Sequence, residues 1–196
     1  MRTFVLWSHA RTDANFNIED LPSSGSRMDI VCRSIISALW VSYTIRKDSE
    51  IYVVLNGSPS PPKTLLFRAV ELKKVANDER SISIWIKKVL ASPATKELKQ
   101  IKDGIYLSSD SFQSLLKKLK GRPVYVFHET GTPIQQAKLE KDAVFIFGDH
   151  KGIPEKEEKF ALRSGSRVSI GSESYLTSSV ISVVHWILDK EAGQSS

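Results

Sequence analysis

Two short apolar runs late in the chain, residues 144–147 and 168–170, each end at a glycine, Gly148 and Gly171. A residue without a Cβ lets the backbone turn sharply and approach a ligand closely. Main-chain groups at two such bends can grip a small molecule. Two polar clusters also carry residue types that do chemistry. One, Ser23-Ser-Gly-Ser-Arg-Met-Asp-Ile-Val-Cys-Arg33, enters a helical pattern, and the other, Asn77-Asp-Glu-Arg80, precedes a second. With Ser26 or a neighbour as cap, Asp29 falls in the first helical turn, where the dipole favours a carboxylate. Arg33 lies four residues on, within pairing reach. The 77–80 cluster reads equally well as a capping turn.

Other chemistries are disfavoured by what is missing. There is neither Gly-x-x-x-x-Gly-Lys-Ser/Thr nor Gly-x-Gly-x-x-Gly after the first strand pattern, which argues against a nucleotide triphosphatase or a dehydrogenase. His9, His128, His150 and His185 are scattered and Cys32 stands alone, so no metal-ligand spacing exists and no metal is expected. No Gly-x-Ser-x-Gly elbow marks a hydrolase.

The net charge of +6 is unevenly placed. Residues 1–62, 63–122 and 123–196 carry 0, +8 and −2, so the middle third is the basic part. Such a local excess suits a polyanion partner, although a solvated lysine-rich surface accounts for it as readily. One cysteine in 196 residues points to a reducing compartment, with the cytoplasm as the default. No apolar run approaches the roughly 18 residues of a membrane span, so no membrane partner is expected.

Strand patterns occur at residues 3–7, 51–55, 124–127, 144–147 and 168–170. Helical patterns lie at 28 to about 43, 65–74 behind a Thr64 cap, 79–90 and 111–120. A closing helix should carry Leu176, Val180, Val183, Val184, Ile187 and Leu188 on one face. Strands alternating with helices imply a three-layer α/β fold, a mostly parallel sheet with helices on both faces. Residues 56–62, with three prolines, are the most loop-like segment, placed where ligand loops of parallel sheets lie. A single domain spanning 1–196 is the simplest division.

Five ordered motifs then carry a resemblance. Residues 25–33, Leu55-Asn-Gly-Ser-Pro-Ser-Pro-Pro62, Glu71-Leu-Lys-Lys-Val75 with Asp78-Glu-Arg80, Phe147-Gly-Asp-His-Lys-Gly-Ile153 and Ser174-Tyr-Leu-Thr-Ser178 occur in the order of the archaeal tRNA (pseudouridine-54-N1)-methyltransferases, the TrmY family of the SPOUT superfamily. The resemblance implies an α/β fold closed by a C-terminal trefoil knot at about residues 123–190, a homodimer, and S-adenosylmethionine (SAM) held by the knot loops. Carried over by position, Phe127, Gly148, Ile170, Gly171, Ser172, Tyr175, Leu176 and Val180 would form the cofactor site. Phe127, Ile170 and Leu176 would wall the adenine. The chain departs from its relatives at Ser179-Val180, where they often carry His-Cys, so no cysteine role carries over.

Methyl transfer to a ring nitrogen of tRNA is an in-line displacement, and holding donor and acceptor about 3–3.5 Å apart lowers most of its barrier. The N1 proton must leave, which makes Asp29, and secondarily Asp78, candidates to accept it or to orient the ring. An aspartate with pKa ~3.9 suits orientation better. Arg27 and Arg33 are placed to stabilise charge spreading onto the uracil carbonyls. Lys73, Lys74 and Arg80 should meet RNA phosphates, and the base must be splayed out of its loop to react. Three rival readings remain: the same chemistry on ribosomal RNA, as in the related Nep1 proteins; a catalytically silent RNA-binding module; and a small-molecule methyltransferase.

Overall fold

The computed structural model describes residues 1–193. β1 (Arg2–Ser8) leads through a short helix α1 (Leu21–Ser24) into α2 (Met28–Leu39), which runs straight into a hairpin of β2 (Trp40–Val41) and β3 (Thr44–Ile45). β4 (Ser49–Leu55), β5 (Lys63–Arg68), a 3-10 turn (Ala69–Glu71) and α3 (Glu79–Leu90) follow. Then come β6 (Lys99–Lys102), β7 (Ile105–Ser108), α4 (Phe112–Lys118) and β8 (Val124–Pro133). β9 (Val144–Gly148), α5 (Glu155–Ala161), β10 (Gly165–Ser169) and α6 (Thr177–Gly193) complete the chain.

Eight strands form one sheet in the order β10-β8-β9-β1-β4-β5-β7-β6. The pairings from β10 to β4 are parallel and those from β4 to β6 antiparallel. The central strands are continuous apolar runs because both faces are covered. Phe4 and Leu6 pack with Val31, Ile35, Ile82 and Val184 of α2, α3 and α6, whereas Val5 and Trp7 pack with Phe112, Leu115 and Ala161 of α4 and α5. The expected three layers are therefore present. Among the described residues no helix is long and apolar enough to cross a membrane.

Several expected boundaries are corrected. Residues 65–74 are not a helix capped by Thr64: Leu65, Leu66 and Phe67 are all fully buried and pair antiparallel with β4, and a 3-10 turn follows. An apolar run of three is too short to separate strand from helix by period, and burial on both faces decided for the strand. α2 ends at Leu39 rather than near 43, because Trp40–Ile45 turns back as a hairpin. Ser26 does not cap α2; Arg27 occupies that position without a side-chain cap bond. Leu176 precedes α6 and is exposed, and the buried face of that helix centres on Ile181, Val184, His185 and Leu188.

His185 ties α6 to the sheet and to α2. Its Nδ1 accepts from Arg2 at 2.8 Å and its Nε2 donates to the Ala38 carbonyl at 3.0 Å, so the ring is neutral in this arrangement. Burial, reinforced by the Arg46 charge, pushes its pKa down to about 4. Between the ordinary histidine value of ~6.5 and about 4, the unfolded chain binds a proton that the folded chain does not, so stability falls as pH drops through that window. The full effect is about 3 kcal/mol, or roughly 6–12 °C in Tm for a chain of this size. His185→Gln should flatten the decline in Tm between pH 7 and 4.5, as scanning calorimetry at both pH values would record.

Candidate active site

At the carboxyl ends of β9 and β10, where ligands of parallel sheets bind, lies a cavity of about 330 Å³, a size typical of small-molecule sites. Phe127 and Phe147 line it with stacked rings, 4.8 Å between centroids and 14° between planes, joined by Ile170 and Val180. Two hydroxyls hold the two glycine bends. Thr177 Oγ1 donates to the Gly148 carbonyl at 2.7 Å, and the Ser169 hydroxyl accepts from Gly171 N–H at 3.0 Å while donating to Gly171 O at 2.6 Å. Of the expected cofactor residues, Phe127, Gly148, Ile170, Gly171, Tyr175 and Val180 line this cavity. Ser172 is exposed and lines none of the cavities described, and Leu176 lines the neighbouring one.

The cavity's charged lining is mostly acidic, with Glu129, Asp149, Glu158 and Glu173 against Lys151. The Glu129 backbone N–H, followed by the Ser174 hydroxyl and His128, holds the Glu129 carboxyl below the usual range. Apolar walls with an anionic rim suit a flat ring joined to a cationic centre.

A second cavity of about 210 Å³ adjoins the first, and the two share Asp149, His150, Ser174, Tyr175 and Thr177. Arg27 and Arg33 line the second and not the first. They are held by Asp29, which is buried: Arg27 Nε and Nη2 donate to its two oxygens at 3.0 Å each, and Arg33 Nη2 donates at 2.5 Å. Burial opposes ionisation of Asp29, yet the bonds and charges of the two guanidiniums outweigh it and hold the carboxyl below its usual range. A carboxylate so occupied is a weak proton acceptor and an effective clamp. Ser26 and Arg27, with φ of 51° and 67°, wind the chain left-handed into α2, a backbone state uncommon outside glycine that often marks function.

Asp78 stands apart from this group. It caps α3, accepting from Ser81 N–H at 2.8 Å, as the capping-turn reading of residues 77–80 expects. Arg80 lies next to the clamp, lining a shallow cavity with Asp29, Arg33 and Glu79, and pairs with Glu19 at 2.7 Å on the surface. Lys73 and Lys74 are exposed in the loop before α3, with Lys73 3.9 Å from Asp103. Cys32 is buried, which pushes its thiol up and leaves it unsuited to nucleophilic work.

His9 and the carboxylate of Asp149 were not foreseen as a pair. Asp149 accepts from the His9 backbone N–H at 2.6 Å and lies 3.0 Å from His9 Nδ1. The signal was present: His9 directly follows the first strand, at the sheet edge where ligand loops gather. Among the described residues no cluster of histidine, cysteine and carboxylates could hold a metal ion.

Fold and site define an α/β protein with an apolar, carboxylate-rimmed cavity at the carboxyl ends of parallel strands, beside a second cavity lined by two guanidiniums. The family described as “Putative SAM-dependent RNA methyltransferase” matches residues 1–192, and the chain belongs to it. Its cofactor is therefore SAM, and the apolar, acid-rimmed cavity fits that group. The tRNA (pseudouridine(54)-N(1))-methyltransferase of Methanococcus maripaludis is 38% identical over 196 residues, covering 97% of this chain and 99% of its own. The Thermococcus kodakarensis protein of the same name is 36% identical over 96% of this chain and 99% of its own. The solved structure of Archaeoglobus fulgidus Nep1 bound to S-adenosylhomocysteine matches with a TM-score of 0.65 at 15% identity, over 100% of this chain and 99% of that one. At that identity it shows the shared fold.

Proposed function

We propose that this protein transfers a methyl group from SAM to N1 of pseudouridine 54 in the T-loop of tRNA. The observation that carries the reading is full-length similarity, 36–38% identity, to relatives named for that reaction. The paired cavities support it. SAM, when bound, supplies an electrophilic methyl group on a positively charged sulfur. Phe127, Phe147, Ile170 and Val180 would enclose its flat ring, and the acidic rim would favour its charge. Arg27 and Arg33, pre-aimed by Asp29, would hold the uracil edge and stabilise charge developing on its carbonyls. We read Asp29 as positioning the arginines and Asp78 as structural. Arg80, Lys73 and Lys74 would meet phosphates as the T-loop approaches.

The same reading takes the chain as one domain, residues 1–196, of which the last three lie outside the described residues, with SAM held by a trefoil knot at about 123–190. It further takes the enzyme as a cytoplasmic homodimer. Large apolar side chains left exposed on one protomer, Trp186 on α6 with Tyr175 and Leu176 beside the second cavity, favour a partner surface.

The test uses transcripts of a tRNA and of a ribosomal RNA fragment, both already pseudouridylated, incubated with enzyme and SAM and read by mass spectrometry. Methylation is expected at position 54 of the tRNA alone, weakening as salt rises. Preference for the ribosomal fragment would favour a Nep1-like enzyme. RNA binding without SAM binding would favour a silent module, and salt-insensitive methylation of free nucleosides a small-molecule enzyme.

A further inference from the structure

Methylation at N1 releases a proton, and the Asp29 carboxylate is already taken by two guanidiniums. Another acceptor, His9, lines neither cavity but lies against Asp149 and His150 in the wall that the two cavities share. Asp149, whose side chain is fully buried, meets Nδ1 of His9 at 3.0 and 3.1 Å through its two oxygens. A carboxylate only accepts, so the neutral ring carries its proton on Nδ1 and leaves a lone pair on Nε2. The imidazole is one-third exposed, at 33%, and lies edge-on to Trp7 at 4.5 Å.

The segment behind His9 is braced. Gly57 N–H donates to Ala10 O at 3.0 Å, Thr12 Oγ1 donates to Gly57 O at 3.1 Å, and a Cβ on Gly57 would come within 2.4 Å of the His9 carbonyl. The proline-rich loop 56–62 therefore serves the site by holding this segment, and it brings no titratable side chain. The charged and titratable groups facing His9 are Asp149 and His150, whose ring centroid lies 6.2 Å away, and Arg27 lines the second cavity with both of those residues.

We infer that His9, held by Asp149, accepts the proton that leaves N1 as the methyl group arrives. The inference rests on the reading of pseudouridine N1-methylation above. The N1 lone pair forms the new N–C bond, the C–S pair returns to sulfur, and the N1 proton passes to Nε2 and later to water. The positive charge that begins on sulfur thus ends on the imidazole, against the Asp149 carboxylate.

The test compares full-length wild type, His9→Ala and His9→Gln in single turnovers on tRNA pseudouridylated at position 54, with SAM affinity measured by calorimetry and tRNA affinity by filter binding. Both variants are expected to react ~100-fold more slowly while binding SAM and tRNA within ~3-fold of wild type. The rise in rate with pH expected at the acid end for wild type should vanish in His9→Gln, and added imidazole should partly restore His9→Ala. A variant rate within ~5-fold of wild type would overturn the inference, as would an acid limb kept by His9→Gln or a SAM affinity that falls along with the rate. A wild type inactive on this tRNA would instead overturn the functional reading, and the inference with it.

Discussion

Alanine in place of Gly148 is expected to lower SAM affinity at least ~100-fold and to abolish turnover at ordinary cofactor concentrations. A Cβ there would come within 2.4 and 2.6 Å of the Gly152 backbone and 2.7 Å of Ile153 N. All three contacts are main chain, so no side-chain rotation relieves them. The turn between them is short and tied, with Gly152 N–H donating to Asp149 O at 2.9 Å and Gly152 itself at a φ of 74°. It must move outward, taking with it a wall of the first cavity and the carbonyl that Thr177 holds. Gly171→Ala is the informative contrast. The three atoms nearest its Cβ would all belong to the Tyr175 side chain, at 3.2 Å and beyond, and that residue is half exposed and free to swing away. Calorimetric titration of both variants with S-adenosylhomocysteine should show a near-complete loss for Gly148→Ala and at most ~10-fold for Gly171→Ala. Equal affinities would remove the Gly148 bend from the cofactor site.

Asp29→Ala should slow methylation of tRNA by ~10²–10³-fold while leaving SAM affinity within a few fold. Two guanidiniums lose the one carboxylate that aims both, and each is more than a third exposed, free to disperse into solvent once released. Because those charges can reach water, the fold should survive the change. The distinction from a catalytic base lies in Asp29→Asn, which keeps the shape and part of the hydrogen bonding but no charge. If Asp29 positions the arginines, single-turnover rates for Asn should fall between wild type and Ala, and the acid limb of the pH profile should persist in both variants. Loss of that limb would return Asp29 to the role of proton acceptor.

Much of this arrangement was legible before any coordinates. Strands ending at Gly148 and near Gly171, helices over 79–90 and into Met28, and the three-layer scheme follow from local rules: apolar period, capping types and the cost of a Cβ at a sharp bend. The Asp29–Arg33 spacing likewise announces a pair on one helical turn. Residues 65–74 escaped such rules because a three-residue apolar run has no resolvable period, and only antiparallel pairing with β4 makes it a strand. The antiparallel wing of β5, β7 and β6 escaped for the same reason, since a short lysine-bearing strand such as Lys99–Lys102 looks like a loop until a neighbour supplies its hydrogen bonds.

The site divides in the same way. Types and spacing along the chain were enough to single out two glycine bends, a guanidinium–carboxylate cluster and a basic middle third, because each rests on residues close in sequence. That Asp29 binds both Arg27 and Arg33, that Leu176 lines the second cavity instead of the first, and that His9 meets Asp149 across 140 positions were settled by folding alone. Which groups a parallel sheet gathers at its carboxyl edge depends on strand order, here β9 beside β1, and strand order is a property of long-range packing that no local pattern records.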